Sequence, residues 1–250
     1  MENYFEKQFE LRYSEIDKTG VASPTAILTL LEETSADHCH SINYSLFDLE
    51  KMNIGWVLLA GYLQMDRYPD YKEKIRIRTW LRNYSTVKGF RENIIYDEQN
   101  NIIGGAKSKW VFFDIVRRRP VKIFEDIIQK WSFCKEEYIN QDITKKIEAI
   151  DAANHIRKFD VNLFDTDSNK HVNNIRYLQW VYESVPKEIV DHYYLHSIDG
   201  RFIGEAQYGD TIVSLTSEGV DPNTFDHTIK VQGNNTVCAT ARTTWRKIIR

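Results

Sequence analysis

Cysteine is scarce in this 250-residue chain, and the spacing of its three cysteines excludes several classes of protein. Cys39, Cys134 and Cys238 lie far apart and form no CxxC pair. A disulfide framework normally uses an even number of cysteines at close spacing, so this odd and sparse set fits a reducing compartment better. The sequence therefore predicts an intracellular protein without structural disulfides.

Long apolar runs and a strong charge imbalance are also missing. The longest apolar run, residues 54–63, is interrupted by two glycines and is well short of the ~20 residues that a membrane span needs. The N-terminus lacks the charged-then-apolar pattern of a signal peptide. A formal net charge of −3 gives no global indication of nucleic-acid binding. We therefore expect a soluble cytoplasmic protein that binds neither nucleic acid nor membrane.

Two common enzyme motifs are absent as well. The chain contains neither GxSxG nor GxxxxGK[ST]. The first motif carries the nucleophile of serine α/β-hydrolases, and the second cradles the phosphates of P-loop enzymes. Neither of these enzyme classes is favoured.

The stretch 165–183 places three polar side chains directly before a predicted helix. Asp167, Asn169 and His171 alternate along the chain, and in an extended segment this spacing sends all three to one face. The capping residue Asn173 and apolar residues at helical spacing predict a helix after them. Backbone N–H groups at a helix start carry partial positive charge, which stabilises a developing oxyanion. The arrangement points to acyl chemistry.

The first half of the chain has the pattern of one strand, one helix and then a series of strands. Near-alternating apolar residues predict a strand within residues 5–16, and Ser23 followed by Pro24 predicts a helix start. Four further apolar and β-branched runs, separated by turn signals, predict strands at 56–65, 75–81, 90–96 and 102–113. The charged segment 121–150 that follows has a helical pattern and is predicted to connect the two halves.

The second half repeats the order of the first. An offset of 150 aligns Asp17 with Asp167 without a gap, and the segments 106–110 and 241–245 have the same form. We therefore predict a duplicated α+β unit. Asp17 itself is interpreted as a turn residue.

The repeat is asymmetric where chemistry is expected. Asn169 and His171 align with Thr19 and Val21, so only the second half carries all three polar side chains.

The polar motif and its surroundings resemble a known family. The string DxNxHVNN at 167–174, followed by Tyr177 and Trp180 on the predicted helix, is similar to that of the plant and bacterial acyl-acyl-carrier-protein thioesterases. The resemblance covers nearly the whole chain and includes further short matches at 31–34, 56–57 and 79–80.

The resemblance implies a fold and its division. The expected fold is α+β, a tandem double hotdog in which each unit is a long helix wrapped by an antiparallel β-sheet. The N-terminal unit with its connector would span 1–150, on the acyl-pocket side. The C-terminal unit, with the catalytic residues, would span 151–250.

The resemblance also implies the site. Asp167, Asn169 and His171 correspond to catalytic positions of the family, and Glu205, on the strand after the second helix, corresponds to a further catalytic carboxylate. Plant members carry a cysteine directly after that glutamate, where this chain has Ala206. A papain-like mechanism is therefore not expected.

The predicted function is hydrolysis of a fatty acyl thioester on acyl carrier protein, without cofactor or metal. The predicted partner is the loaded carrier protein, and the enzyme would be a monomer or homodimer. The plastid transit segment of plant members is absent, which predicts a bacterial-type cytoplasmic enzyme. Chain-length preference cannot be predicted from the sequence, because pocket-lining apolar residues also serve as core.

Several routes for the chemistry remain open at this point. Asp167 or Glu205 would activate water, or Asp167 would attack directly and form an acyl anhydride. Asn169 would orient the carboxylates or the carbonyl, and His171 would help the thiolate to leave.

Other interpretations compete with this one. A hotdog fold also hosts acyl-CoA thioesterases and dehydratases, and a non-catalytic acyl-binding module is a further alternative. A separate structural interpretation is that the three polar residues only cap the second helix and that Glu205 is a solvent-facing strand residue.

Two further patterns give hypotheses. Residues 107–130 contain seven basic side chains against three acidic ones, which predicts a surface for the acidic carrier protein together with Arg246, Lys247 and Arg250. An ordinary solvated charge run explains the segment equally well. His192 and His196 have the i, i+4 spacing of a zinc site, but the glutamate of HExxH and a third ligand are missing.

Overall fold

The fold is known from a computed structural model, which describes residues 4–131, 133–167 and 171–248. The chain divides into two compact units, Met1–Ile143 and Thr144–Arg250. We call them unit 1 and unit 2. Each is described by itself below.

Unit 1 is an antiparallel sheet with a helix packed against it. Hydrogen bonding orders the sheet β1-β3-β4-β5-β2, and the short β6 pairs with the end of β5. The helix α1 contacts β1 and β3. The elements are β1 (Phe5–Glu10), α1 (Pro24–Ser41), α2 (Leu46–Lys51), β2 (Ile54–Met65), β3 (Lys74–Tyr84), β4 (Lys88–Tyr96), β5 (Ile102–Asp114), β6 (Arg119–Pro120) and α3 (Glu125–Lys130).

Unit 2 repeats this plan. Its sheet has the order β7-β9-β10-β11-β8, and α4 contacts β9 and β10. The elements are β7 (His155–Asp160), α4 (Asn174–Glu183), α5 (Lys187–His192), β8 (Tyr193–Phe202), β9 (Thr211–Glu218), β10 (Thr224–Val231) and β11 (Val237–Lys247). Since β7 to β11 follow the same order as β1 to β5, the predicted duplication of an α+β unit is confirmed.

The helix of unit 1 forms where its sequence signals place it. The Ser23 side chain accepts a hydrogen bond from the N–H of Ala26 at 3.1 Å, and Pro24 occupies the first turn, where its missing N–H costs nothing. Ile27 and Leu30 are buried on the face that meets the sheet. The predicted helix and its apolar face are confirmed.

The first strand is shorter than predicted. It ends at Glu10, and a single 3₁₀ turn follows at Tyr13–Glu15. The Glu15 carboxylate accepts the backbone N–H of Arg12 at 2.8 Å and closes this turn. Local capping therefore stops a strand that the apolar alternation alone would have continued.

The predicted helical connector at 121–150 is wrong for most of its length. Only α3 is helical within it, and the described residues after Trp131 form no regular element. The buried ammonium of Lys107 donates to the carbonyls of Ile139 at 2.9 Å and Gln141 at 3.2 Å. These carbonyl groups point at a side chain instead of at the N–H groups of a following helical turn.

Within the described residues, no helix has the length and apolar character required to cross a lipid bilayer.

Candidate active site

The described ends of the loop that carries the polar motif are paired with each other, which the ends of an extended segment are not. The N–H of Asp167 donates to the carbonyl of His171 at 2.9 Å, and Thr166 and Val172 form an antiparallel bridge around it. The predicted extended geometry is therefore wrong. Asp167 and His171 lie close together through this backbone hydrogen bond, and not because alternate residues of a strand share a face. Asn169, the third member of the motif, lies outside the described residues.

Unit 1 contains the same loop at the predicted offset. The N–H of Asp17 donates to the carbonyl of Val21 at 2.8 Å, and Ile16 bridges Ala22. The Asp17 carboxylate accepts the backbone N–H of Thr19 at 2.7 Å, which confirms that Asp17 is a turn residue. The two loops share this backbone hydrogen bond and this bridge, with Asp17 and Asp167 at the same place in each.

His171 and Glu205 come together in unit 2. Their nearest atoms, Nε2 and Oε2, are 3.6 Å apart, which brings a carboxylate beside the imidazole ring. The side chains are 28% and 45% exposed, so both groups are open to solvent and to a substrate. Asp167 is also exposed. The structure thus brings two of the predicted residues into contact and places the third on the adjoining turn.

The contact between His171 and Glu205 is fixed by the backbone next to each residue. Val172 donates its N–H to the carbonyl of Ala206 at 3.2 Å. The N–H of Ala206 in turn donates to the phenolic oxygen of Tyr177, on α4, at 2.9 Å. Glu205 therefore lies in a loop after β8, not on the predicted strand, and this loop is attached to both Val172 and α4.

Hydrogen bonds of Asn173 and its neighbours close the start of α4. Asn173 is the N-cap, and its side chain accepts the N–H of Ile175 at 2.7 Å. The N–H of Asn173 donates to the carbonyl of Asp165 at 2.9 Å, and that of Arg176 to the carbonyl of Asn173 at 2.9 Å. The capping interpretation therefore applies to Asn173.

The same hydrogen bonds test the prediction that N–H groups at the start of α4 stabilise an oxyanion. The N–H groups of Val172, Asn173, Ile175 and Arg176 all donate within the protein. These four do not form an open array of donors. The prediction that an oxyanion is stabilised by the start of this helix does not hold for them.

The position after the glutamate faces inward. Ala206 is fully buried, so a side chain here packs against the interior of unit 2 and not toward the space in front of Glu205. The nearby Cys238 is also buried, and burial raises the pKa of its thiol to about 11. A thiol with so high a pKa is almost fully protonated near neutral pH and is a poor nucleophile.

The i, i+4 spacing of His192 and His196 does not place them on one helix. His192 ends α5 and His196 lies within β8, so the two do not share a helical face. Among the described residues, no group of three or more histidine, cysteine or acidic side chains could hold a metal ion.

The basic segment 107–130 is only partly available as a surface. Lys107 is buried beside Glu92 and Glu137, so its inclusion in a surface for the carrier protein was wrong. Lys130 pairs with Asp126 at 2.7 Å. Exposed basic side chains remain at and after the turn between β5 and β6, which we call the basic turn: Arg117, Arg118, Arg119 and Lys122.

Comparison with known proteins agrees with this architecture. Residues 2–131 match the model of the acyl-ACP thioesterase N-terminal domain, and residues 147–247 match that of the C-terminal domain. The oleoyl-acyl carrier protein thioesterase of Coriandrum sativum is 28% identical, over 97% of this chain and 77% of that protein.

Solved structures show the same fold. An acyl-ACP thioesterase from Bacteroides thetaiotaomicron superposes with a TM-score of 0.88 and 20% identity, over 98% of both chains. The 12:0-ACP thioesterase from Umbellularia californica superposes with a TM-score of 0.87 and 21% identity, over 99% of both chains. Together with the two domain matches, which cover most of the sequence, these superpositions confirm the predicted tandem double hotdog fold. The chain therefore belongs to the acyl-ACP thioesterase family, as the motif at 167–174 predicted.

Proposed function

We propose that this enzyme hydrolyses the thioester between a fatty acyl chain and acyl carrier protein. The products are a free fatty acid and the carrier protein with its thiol, and the reaction ends chain elongation. The observation that carries the proposal is the pairing of His171 with Glu205 at 3.6 Å, next to the turn of Asp167, in a member of this family.

The arrangement supports hydrolysis by a carboxylate and an imidazole acting together. Water adds to the thioester carbonyl, the carbon–sulfur bond breaks, and the sulfur leaves as a thiolate that must gain a proton. Glu205 or Asp167 accepts the proton of the attacking water, and His171 supplies a proton to the departing sulfur. Direct attack by Asp167, with an acyl anhydride as intermediate, is the second route. Asn169 would orient the reacting groups in either case.

The experiment that tests this function is thiol release from carrier protein loaded with saturated chains of 8 to 18 carbons. The wild-type enzyme is expected to release thiol from at least one chain length at a rate far above spontaneous hydrolysis. Presenting the same acyl group on CoA decides between carrier-protein and CoA selectivity. No release from any carrier-linked chain would contradict the proposal and favour the acyl-CoA or binding-module alternatives.

The basic turn is our proposed contact with the acidic carrier protein. Arg117 and Arg118 are exposed, and Arg117 lies 3.9 Å from its neighbour Asp114, too far for a strong ion pair. Reversing both to glutamate is expected to raise KM for the carrier-linked substrate about tenfold at low salt, with little change in kcat. Steady-state kinetics at two salt concentrations would measure this.

The matched control changes the same amount of charge elsewhere. Lys145 and Lys146 are both exposed, and their reversal to glutamate is expected to leave KM nearly unchanged. If the Arg117/Arg118 variant has the KM of the wild type, the basic turn is not the contact surface.

The remaining predictions from the resemblance are part of the same proposal. Unit 1 would contribute much of the acyl pocket and unit 2 the catalytic residues. A cytoplasmic location and a monomeric or homodimeric state complete the proposal.

A further inference from the structure

The two peptide groups on either side of Ala206, the residue after Glu205, are each held by a hydrogen bond. Ala206 accepts the N–H of Val172 through its carbonyl at 3.2 Å. The N–H of Ala206 donates to the hydroxyl of Tyr177 at 2.9 Å. Val172 directly follows His171, so both bonds lie one residue away from the pair that does the chemistry.

Tyr177 is itself fixed in orientation. It is 2% exposed, and its ring packs edge-on against Trp180 with centroids 5.5 Å apart. Its hydroxyl donates to the thiol of Cys238, which leaves the oxygen lone pairs for the N–H of Ala206. Cys238 has its own acceptor in the carbonyl of Thr236, at 3.7 Å. This chain of bonds gives the hydroxyl a single direction.

The tyrosine hydroxyl is not suited to proton transfer. Burial raises the pKa of Tyr177 above that of an ordinary phenol, so the group stays protonated near neutral pH. Any contribution of Tyr177 to the reaction is therefore one of position.

Unit 1 contains the equivalent backbone contact but lacks the side chains that we propose to be catalytic. Ala22 donates its N–H to the carbonyl of Pro69 at 2.8 Å, as Val172 does to Ala206. Proline has no N–H, so Pro69 has no backbone donor that needs an acceptor like the Tyr177 hydroxyl. At the position of Tyr177, 150 residues earlier, unit 1 has the apolar Ile27.

The Tyr177 hydroxyl and the Ala206 N–H therefore occur together in unit 2. Both groups are missing at the equivalent positions of unit 1, which are Ile27 and Pro69. Tyr68 precedes Pro69 at the position of Glu205, and Val21 stands at the position of His171. The tyrosine acceptor is present in the unit that carries the catalytic pair.

We propose that Tyr177 is a positioning residue, which holds the loop of Glu205 so that its carboxylate stays beside His171. This inference rests on the proposed function, because its effect is measured on thioester hydrolysis. Tyr177 does not contact the reacting atoms. Its hydroxyl sets the distance between two groups that do.

The first test is Tyr177→Phe, which keeps the ring and removes the hydroxyl. We expect kcat on acyl carrier protein to fall about tenfold to a hundredfold, because a displacement near 1 Å has effects of that size. KM is expected to change less than about twofold, since the substitution removes no group of the basic turn that we propose as the carrier-protein contact. Tyr182→Phe, on the same helix with its ring against Trp245, is the matched control and is expected to keep wild-type kcat.

The second test introduces at position 206 the proline that unit 1 has at the equivalent position, Pro69. Ala206→Pro removes the N–H that Tyr177→Phe leaves without its acceptor, and the double variant is expected to recover kcat to within about threefold of wild type. A purely structural role would lower the melting temperature and leave the kcat of the folded enzyme unchanged.

Three results would overturn the inference. They are a wild-type kcat in Tyr177→Phe, a loss confined to KM or the melting temperature, and a double variant as slow as the single one. Failure of the proposed function itself is distinguishable, because the wild-type enzyme would then release no thiol.

Discussion

Asp167→Asn is expected to reduce kcat on acyl carrier protein by about 10²- to 10⁴-fold, the range typical of losing a general base or nucleophile. The amide keeps the size of the carboxylate, and the turn is closed by the backbone N–H of Asp167, which the substitution retains. The loss would therefore be chemical. Thiol release under saturating substrate measures kcat directly.

The duplicated chain supplies the matched control. Asp17→Asn makes the same substitution in the equivalent turn of unit 1, and its amide oxygen can still accept the N–H of Thr19. This variant is expected to keep wild-type kcat. If Asp167→Asn also retains activity, neither role that we assign to Asp167 is correct, and Glu205 would be the remaining carboxylate.

Lys107→Met is expected to cause the largest loss of stability, about 3–5 kcal/mol, because it leaves a buried charge without a partner. Lys107 faces Glu92 across β4 and β5, with Nζ 3.5 Å from Oε1, and Glu92 has no exposed surface. Within the described residues, neither carboxylate oxygen of Glu92 accepts a hydrogen bond. Urea unfolding followed by tryptophan fluorescence would measure the loss.

The repeat again provides a control. Arg242 and Asp226 face each other across β11 and β10 at 2.7 Å, but Arg242 is 57% exposed. Arg242→Met is expected to cost less than about 1 kcal/mol, as for other solvent-exposed pairs. Equal losses in the Arg242 and Lys107 variants would show that the burial of Lys107 does not matter.

The loss in Lys107→Met is also expected to depend on pH. Burial raises the pKa of Glu92 to about 7, against the opposing effect of Lys107, from 4.5 in the unfolded chain. The folded state therefore binds this proton more tightly, and its stability falls as pH rises from about 4.5 to about 7. Removing Lys107 raises the pKa further, so the loss is expected to be larger at pH 8 than at pH 6. Glu92→Gln in the Lys107→Met background should remove this difference.

Much of the fold could be predicted because local signals and the repeat agree. Alternating apolar runs gave four strands of unit 1, and Ser23 with Pro24 gave the start of α1. The offset of 150 aligned Asp17 with Asp167, and the two backbone turns match at that same offset. Periodicity is strongest where one face of an element is buried.

The connector could not be predicted for a physical reason. Its charge pattern resembles an amphipathic helix, but the conformation depends on Lys107, a residue on a distant strand that takes two of its carbonyl groups. The same burial removed Lys107 from the predicted carrier-protein surface. A charge run gives no indication of which of its members the fold will bury.

The site was predictable as a set of residues, and less so as a geometry. The motif identified Asp167 and His171, and the wider resemblance identified Glu205, but the contact between His171 and Glu205 depends on pairing between Val172 and Ala206. Tyr177 was predicted as a helical residue that contributes to the family resemblance, without a role in the site. The signal that would have revealed it is the contrast between the halves, with tyrosine and alanine in one where isoleucine and proline stand in the other.

In the proposed function, the turn of Asp167 takes part in the reaction and the equivalent turn of Asp17 does not. In unit 1 the place of Glu205 is taken by Tyr68, which is 8% exposed and serves the core. Stabilising substitutions commonly reduce activity when they fall in a site that needs its polar, strained or mobile groups. The turn of Asp17 carries no such demand. We therefore expect that substitutions which rigidify unit 1 around residues 17–21 raise heat resistance without lowering the turnover of the thioesterase.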